Sequence, residues 1–304
     1  MFLCATKKAN EKGIILRRRR IGCFGKILFI LLVLALAIGL ILVDSNTRLV
    51  TTEYILEFPN LPSGFDGYRI ALIADNHGAE HGEDNARLIL SVIESRPDII
   101  VLVGDLVDRY QPGLPVSRQL EITRALIAGL TPIAPVYFVT GNHEWDLGPG
   151  YLQELISILD EAGVILLRNR FERIERGGDS IILAGVEDPN GPADMITPQA
   201  FIDGIHQNEA PEFLIVLYHR NYKLDMFSRL GVDLLLSGHA HGGIVRLPFT
   251  DGLIGPRMEW FPTYTSGVYT RANTQMVVTR GLGNHLGWTR FLNNPELVIV
   301  ELRQ

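Results

Sequence analysis

The residues best suited to chemistry fall into five short motifs: Asp75-Asn76-His77, Gly104-Asp105, Gly141-Asn142-His143, Tyr218-His219 and Gly238-His239-Ala240-His241. They hold five of the eight histidines, and each follows a strand-like apolar run. Carboxylate oxygen, amide oxygen and imidazole nitrogen form the mixed donor set that suits divalent cations. Together the motifs supply enough ligands for two ions. Asp75 and His77, two apart, fall on one side of an extended chain. The two oxygens of Asp105 allow it to bridge, and Asn142 offers a neutral carbonyl. His239 and His241 can turn to the same side and reach different metals. Gly104, Gly141, Gly238 and Gly242 permit the sharp turns that convergence requires. One such motif says little, since a lone buried histidine is more often a satisfied core residue than a ligand. The ordered set carries the reading.

The elements that must position these residues follow from the apolar pattern. Residues 68–74, 99–103, 135–140, 213–218 and 233–237 are apolar runs too short for helices, as buried strands are, and 181–186 is another. Alternation over 50–58 reads as an edge strand. Helical spacing covers Ala86, Leu90 and Ile93, then residues 116–130 entered from Pro115, then Leu152, Leu155, Ile156 and Leu159 with Gly163 at the C-cap. Strands alternating with helices imply a layered α/β fold with its site at the C-terminal strand ends. Beyond Gly242, residues 244–247, 269–271, 275–278 and 297–300 read as a strand meander that completes a second sheet, with no further helix.

The motifs D-x-H, G-D-x-x-D, G-N-H-E, a lone histidine after a strand and G-H-x-H resemble the calcineurin-like metallophosphoesterases, from about Tyr68 to the C-terminus. Residues 242–248, with 279–283, look like the membrane-associated bacterial branch. The resemblance implies an α-β-β-α sandwich of two mixed sheets and a hydrolase of phosphate esters or pyrophosphates. It implies that Asp75, His77 and His241 hold one ion, that Asn142, His219 and His239 hold a second, and that Asp105 bridges them. The ions would be divalent Mn, Fe or Zn. A hydroxide shared by the ions would attack phosphorus in line. His143 would protonate the leaving oxygen or stabilise its charge, and Asp108 would orient His143. Arg109 and Arg220 are candidate phosphate contacts, and His285 is a candidate substrate contact. Tyr110, Trp145, Trp260, Phe261, Tyr264 and Trp288 are candidate rim aromatics, and Trp260 and Phe261 could also dip into a bilayer interface. Asn76 should point away from the metals. His81 lies outside the motifs, and His206 reads as a surface helix residue.

One segment accounts for much of the 47% hydrophobic content. Residues 27–43 carry no charge and no proline, at the short end of a membrane span. Basic residues precede this run and Asp44 follows it, which puts the N-terminus in the cytoplasm and the rest outside. Nothing after Val43 resembles a small-x-small cleavage site, so a retained single-pass anchor is favoured over a cleaved signal. A twin-arginine signal at Arg19-Arg20 is the weaker match. The organisation expected is a basic cytoplasmic tail (1–26), an anchor (27–43), a linker with a leading strand (44–66) and a catalytic domain (67–304). Eight of the 28 basic and two of the 34 acidic residues precede residue 45, leaving 20 against 32, a formal −12. That sign argues against a nucleic acid as partner. Both cysteines, Cys4 and Cys23, precede the apolar run, so no disulfide holds the domain. A lipid-linked or cell-envelope substrate suits an anchored hydrolase. A nuclease or cyclic-nucleotide phosphodiesterase of the same superfamily, or a non-catalytic surface-binding module, are the alternatives.

Overall fold

The computed structural model describes residues 23–209, 212–256, 258–284, 287 and 289–304. The chain divides into two compact units, one ending at Leu40 and the other covering Ile41–Gln304. Helix α1 (Cys23–Thr47) is long and apolar enough to cross a membrane. It outruns the 27–43 apolar segment, and its last turns belong to the second unit.

In the second unit β1 (Val50–Glu57), β2 (Arg69–Ile73), α2 (Ala86–Ser95), β3 (Ile99–Val103), α3 (Val116–Leu130), β4 (Val136–Val139), α4 (Asn142–Asp146), α5 (Pro149–Glu161) and β5 (Ile165–Leu166) follow in order. Then come β6 (Arg170–Arg176), β7 (Asp179–Val186), α6 (Pro198–Asn208), β8 (Phe213–Arg220), α7 (Leu224–Arg229), β9 (Leu234–Gly238), β10 (Gly267–Arg271), β11 (Thr274–Val278) and β12 (Glu296–Arg303). Two six-stranded mixed sheets result, in the orders β1-β12-β2-β3-β4-β5 and β10-β11-β9-β8-β7-β6.

The two-residue period of the strands sorts their side chains into layers. Ile70, Leu72, Val101, Val103 and Val139 of the first sheet meet Leu183, Ile215, Leu217, Leu236 and Val277 of the second in a shared core. The intervening residues Ala71, Ile73, Ile100, Leu102 and Phe138 face outward onto α2, α3 and α5, packing on Leu88, Leu126 and Leu155. On the other side Ile182, Leu214, Val216 and Leu235 receive Ile202 of α6 and Phe227 of α7. Strands buried on both faces must be apolar throughout, which is why they read as unbroken runs. The arrangement is the expected α-β-β-α sandwich.

Two expectations change, and one helix gains a start signal. Residues 244–247 form no regular strand; Val245 and Arg246 make only isolated bridges, to Phe291 and Gly252. The final strand does not complete the second sheet. It enters the first, parallel to β1 and antiparallel to β2, leaving β10 and β11 to extend the second. Helix α6 has a start signal that the apolar periodicity alone did not mark: Thr197 accepts from Ala200 N at 3.2 Å, and Pro198 occupies the first turn.

The turns that follow β3 and β4, neighbours in the first sheet, approach each other closely. Gly104 has φ +76°, and a Cβ there would stand 2.4 Å from the Gly141 nitrogen. Gly104→Ala is therefore expected to cost at least about 2 kcal/mol of stability from backbone strain and this clash. Chemical denaturation checks it, and an unchanged midpoint would contradict the close approach.

Candidate metal centre

The C-terminal ends of β2, β3, β4, β8 and β9 deliver all five motifs to one place. Backbone hydrogen bonds lock the first two turns together: Asp75 N to Gly104 O, His77 N to Asp105 O, and Gly78 N to Leu106 O, at 2.9–3.0 Å. His219 fastens one sheet to the other, its Nδ1 donating to Val103 O at 2.8 Å. That bond engages the Nδ1 proton and leaves Nε2 aimed at Asp105 Oδ2, 3.0 Å away.

Asp75 and His77 converge, but not along an extended chain. Asp75, His77, Asp105, His239 and His241 all have left-handed backbones, with φ between +46° and +67°. Asp and His tolerate this region better than most residues. Each turn throws its side chain inward, so two-residue spacing works here through turn geometry.

Two ligand-like groups form. In one, His77 Nε2 lies 3.1 Å from His241 Nε2, which is 3.4 Å from Asp75 Oδ1. In the other, Asp105, His219 and His239 bring one donor atom each within 4.8 Å of one another. His239 and His241 therefore part to different groups. Asn142 Oδ1 is buried and has no hydrogen-bond partner. An oriented, unsatisfied carbonyl among clustered nitrogens and carboxylates is a good fit for a divalent cation. The carboxylates are driven apart electrically. Burial, reinforced by Asp105, pushes Asp75 up to about 7. Burial also works against the Asp105 charge, but His219, His143 and His77 outweigh it and hold Asp105 well below the usual carboxylate range.

A third group sits beside these. His143 Nδ1 pairs with Asp108 Oδ1 at 3.0 Å, and its Nε2 lies 3.9 Å from Asp105 Oδ2. Burial opposes the imidazolium, yet Asp105 and Asp108 raise His143 to about 9. Asp108 is itself held from outside. Gln119 of α3 accepts from Asp108 N and donates to Asp108 O, both at 2.7 Å. Glu144 accepts from Asp105 N, Leu106 N and Gly141 N at 2.7–2.8 Å. Neither Gln119 nor Glu144 had been assigned a role. The glutamate of G-N-H-E was the available signal for the second.

The remaining expectations separate. A cavity of about 200 Å³ is reached by Asp105, His143, His239 and His241 and walled by Arg220 and Asn190. Arg220 is clamped there, to both oxygens of buried Asp188 at 2.6 and 2.7 Å and to Asn190 Oδ1 at 2.8 Å. Arg109 is exposed and lines a different surface cleft, with Gly148–Tyr151. Asn76 turns back on its own loop, donating to Ala79 O. His81 is buried outside the three groups, and His206 is an exposed residue of α6 bonded to Leu230 O. His285 and Trp288 lie outside the described residues. None of the other five rim aromatics lines the cavity. Trp145 packs under Arg168, Tyr264 against Tyr269, and Trp260 and Phe261 are each 70% exposed. Tyr222, which the sequence reading passed over, stands 6.2 Å from the His239 ring.

Glu144→Gln replaces one acceptor oxygen with a donor against backbone N–H groups. It is expected to cost about 1–3 kcal/mol of stability and to weaken divalent metal binding by on the order of 10-fold or more. Denaturation and metal titration would check both, and loss of neither would mean that Glu144 is dispensable to the turn.

Comparison with known proteins agrees with this geometry. Residues 68–243 match the family described as calcineurin-like phosphoesterase. The chain is 29% identical to the metallophosphoesterase YkuE of Bacillus subtilis, over 83% of this chain and 85% of that one. It is 26% identical to the phosphodiesterase YaeI of Escherichia coli, over 69% and 72%. A Danio rerio protein named as a transmembrane protein with a metallophosphoesterase domain is 28% identical, over 100% of this chain and 70% of its own. With the family motifs drawn together at the strand ends, the chain belongs to the calcineurin-like phosphoesterases and is a hydrolase of phosphoester bonds.

Proposed function

We propose that the protein hydrolyses phosphate esters or pyrophosphates at a two-ion centre, on the outer face of a membrane. The observation that carries this reading is the pair of ligand-like groups meeting at Asp105, with the His143–Asp108 pair beside them. Asp75, His77 and His241 would hold one divalent ion. Asn142, His219 and His239 would hold the other, and Asp105 would lie between. When bound, such ions activate water at neutral pH and neutralise charge on phosphoryl oxygens.

The chain's own residues supply the rest. Asp108 holds the Nδ1 proton of His143, which leaves Nε2 to deliver a proton to the departing oxygen. Arg220, its Nε and Nη2 engaged by Asp188 and Asn190 and its Nη1 bonded to the Tyr222 hydroxyl at 3.2 Å, keeps a second Nη1 N–H for an anionic group in the cavity. Arg109, which does not line that cavity, fits a contact with another part of a larger substrate. The basic residues that precede the apolar run support an outward-facing domain. A lipid-linked or cell-envelope phosphoester is the substrate class that an anchored domain would meet most often.

Asp105→Asn removes the shared carboxylate charge. Hydrolysis of a chromogenic phosphodiester by the metal-loaded protein is expected to fall more than about 100-fold, beyond what outer-shell changes at metal sites cost. Undiminished activity would sink the two-ion reading. For the substrate, full-length protein in vesicles is expected to prefer a lipid phosphoester or pyrophosphate over its short-chain soluble analogue. Equal turnover of the two would remove the lipid from the proposal.

A further inference from the structure

The last turn of α1 is bonded into the segment that backs the metal centre. Asn46 uses every polar group of its side chain. Its Nδ2 donates to Leu42 O at 2.7 Å and to Arg290 O at 2.9 Å. Its Oδ1 accepts from Arg290 N at 3.0 Å and from Asn284 Nδ2 at 3.2 Å. The exchange with Arg290 backbone in both directions imitates a bridge between strands. A parallel connection lies alongside, where Asn294 Nδ2 donates to Asp44 O at 2.8 Å and to Arg48 O at 3.3 Å.

Arg290 carries the connection inward. Its side chain is buried, 2% exposed, and no carboxylate forms an ion pair with it among the described residues. Its Nη2 instead donates to the carbonyls of Arg280, Gly281 and Gly283, at 2.9, 3.2 and 2.5 Å. Nε donates to Asn284 Oδ1 at 3.1 Å, and Nη1 is buried without a partner. A buried guanidinium without a counter-ion is costly. Here it gathers three carbonyls of one turn and holds that turn in shape.

That turn lies against Asp75. Gly283 N donates to Asp75 O at 2.7 Å, and Leu282 N approaches the carbonyls of Ala74 and Asp75 at 3.2 Å. A Cβ on Gly281 would stand 2.6 Å from Asp75 Cβ, and one on Gly283 would stand 2.1 Å from Asn76 O. The turn is therefore the surface against which Asp75 adopts its left-handed conformation.

We infer that Asn46 is a positioning residue of the metal centre, acting through Arg290 and the 281–283 backbone on Asp75, so that the end of the apolar helix is a structural part of the site. The inference rests on the metal-binding reading of Asp75. It excludes the simpler view that residues 41–48 only connect an anchor to an independent enzyme.

The test uses full-length protein in detergent micelles or nanodiscs and reads Mn²⁺ affinity by titration, without substrate. Asn46→Ala is expected to weaken Mn²⁺ binding by on the order of 10-fold, as removal of outer-shell support does at metal sites. Thr47→Ala, in the same turn, loses only a local bond to Val43 O and is expected to bind as the parent does. If Asn46→Ala fails to fold, Asn46→Asp is read instead; it keeps both acceptor bonds and loses both donors, and a smaller loss of affinity is expected. Parental affinity in whichever variant is read would overturn the inference and leave the proposed function intact. Parent protein that binds none of Mn²⁺, Fe²⁺ and Zn²⁺ in the same titration would overturn both.

Discussion

A charged carboxylate buried where two sheets meet is the constraint on which the rest of the structure depends. Asp105 is almost wholly excluded from water, and a bare carboxylate in that position would be prohibitive. Every neighbour answers that cost. His219 approaches one oxygen, His143 N donates to the other, and the Asp105 backbone is held by Glu144 and His77. The sandwich supplies these partners because parallel strands from both sheets end at the same level. The Val103–His219 bond then prevents the sheets from separating there. Fold and site are thus one electrostatic solution.

Much of this was legible in the chain. Strands buried on both faces must be apolar along their whole length, so β2, β3, β8 and β9 stood out as short unbroken runs. Each ended in metal-compatible residues, with glycine close by after β2, β3 and β9. The placement of β12 was hidden because its partners, β1 and β2, lie more than 200 residues away. An apolar run carries no label for its sheet. The turn geometry of Asp75 and His77 was hidden for another reason: residue type shows tolerance of a left-handed backbone, not its use. Gln119 bonds to main-chain groups, which leave no side-chain spacing to detect, whereas Glu144 was signalled only by its place in G-N-H-E.

The apolar helix and the catalytic unit could be read as address and cargo. The bonds of Asp44 and Asn46 with residues 284–294 make that division hard to sustain. Similarity to a Danio rerio transmembrane protein covers this whole chain, helix included. The end of the helix, from Ile41 on, is thus part of the catalytic unit.

The left-handed backbone at Asp75, His77, Asp105, His239 and His241 has one more consequence. Such positions admit glycine, asparagine, aspartate and histidine readily, and disfavour most longer or branched side chains. The main chain therefore acts as a filter on ligand chemistry before any ion arrives. Oxygen and imidazole pass easily, whereas replacing one of these residues with glutamate or cysteine would meet a conformational penalty as well as a change of donor. A thiolate-rich centre of the kind that favours soft metals is thus discouraged by φ angles alone. The shape of five turns thus favours oxygen and imidazole donors over thiolate.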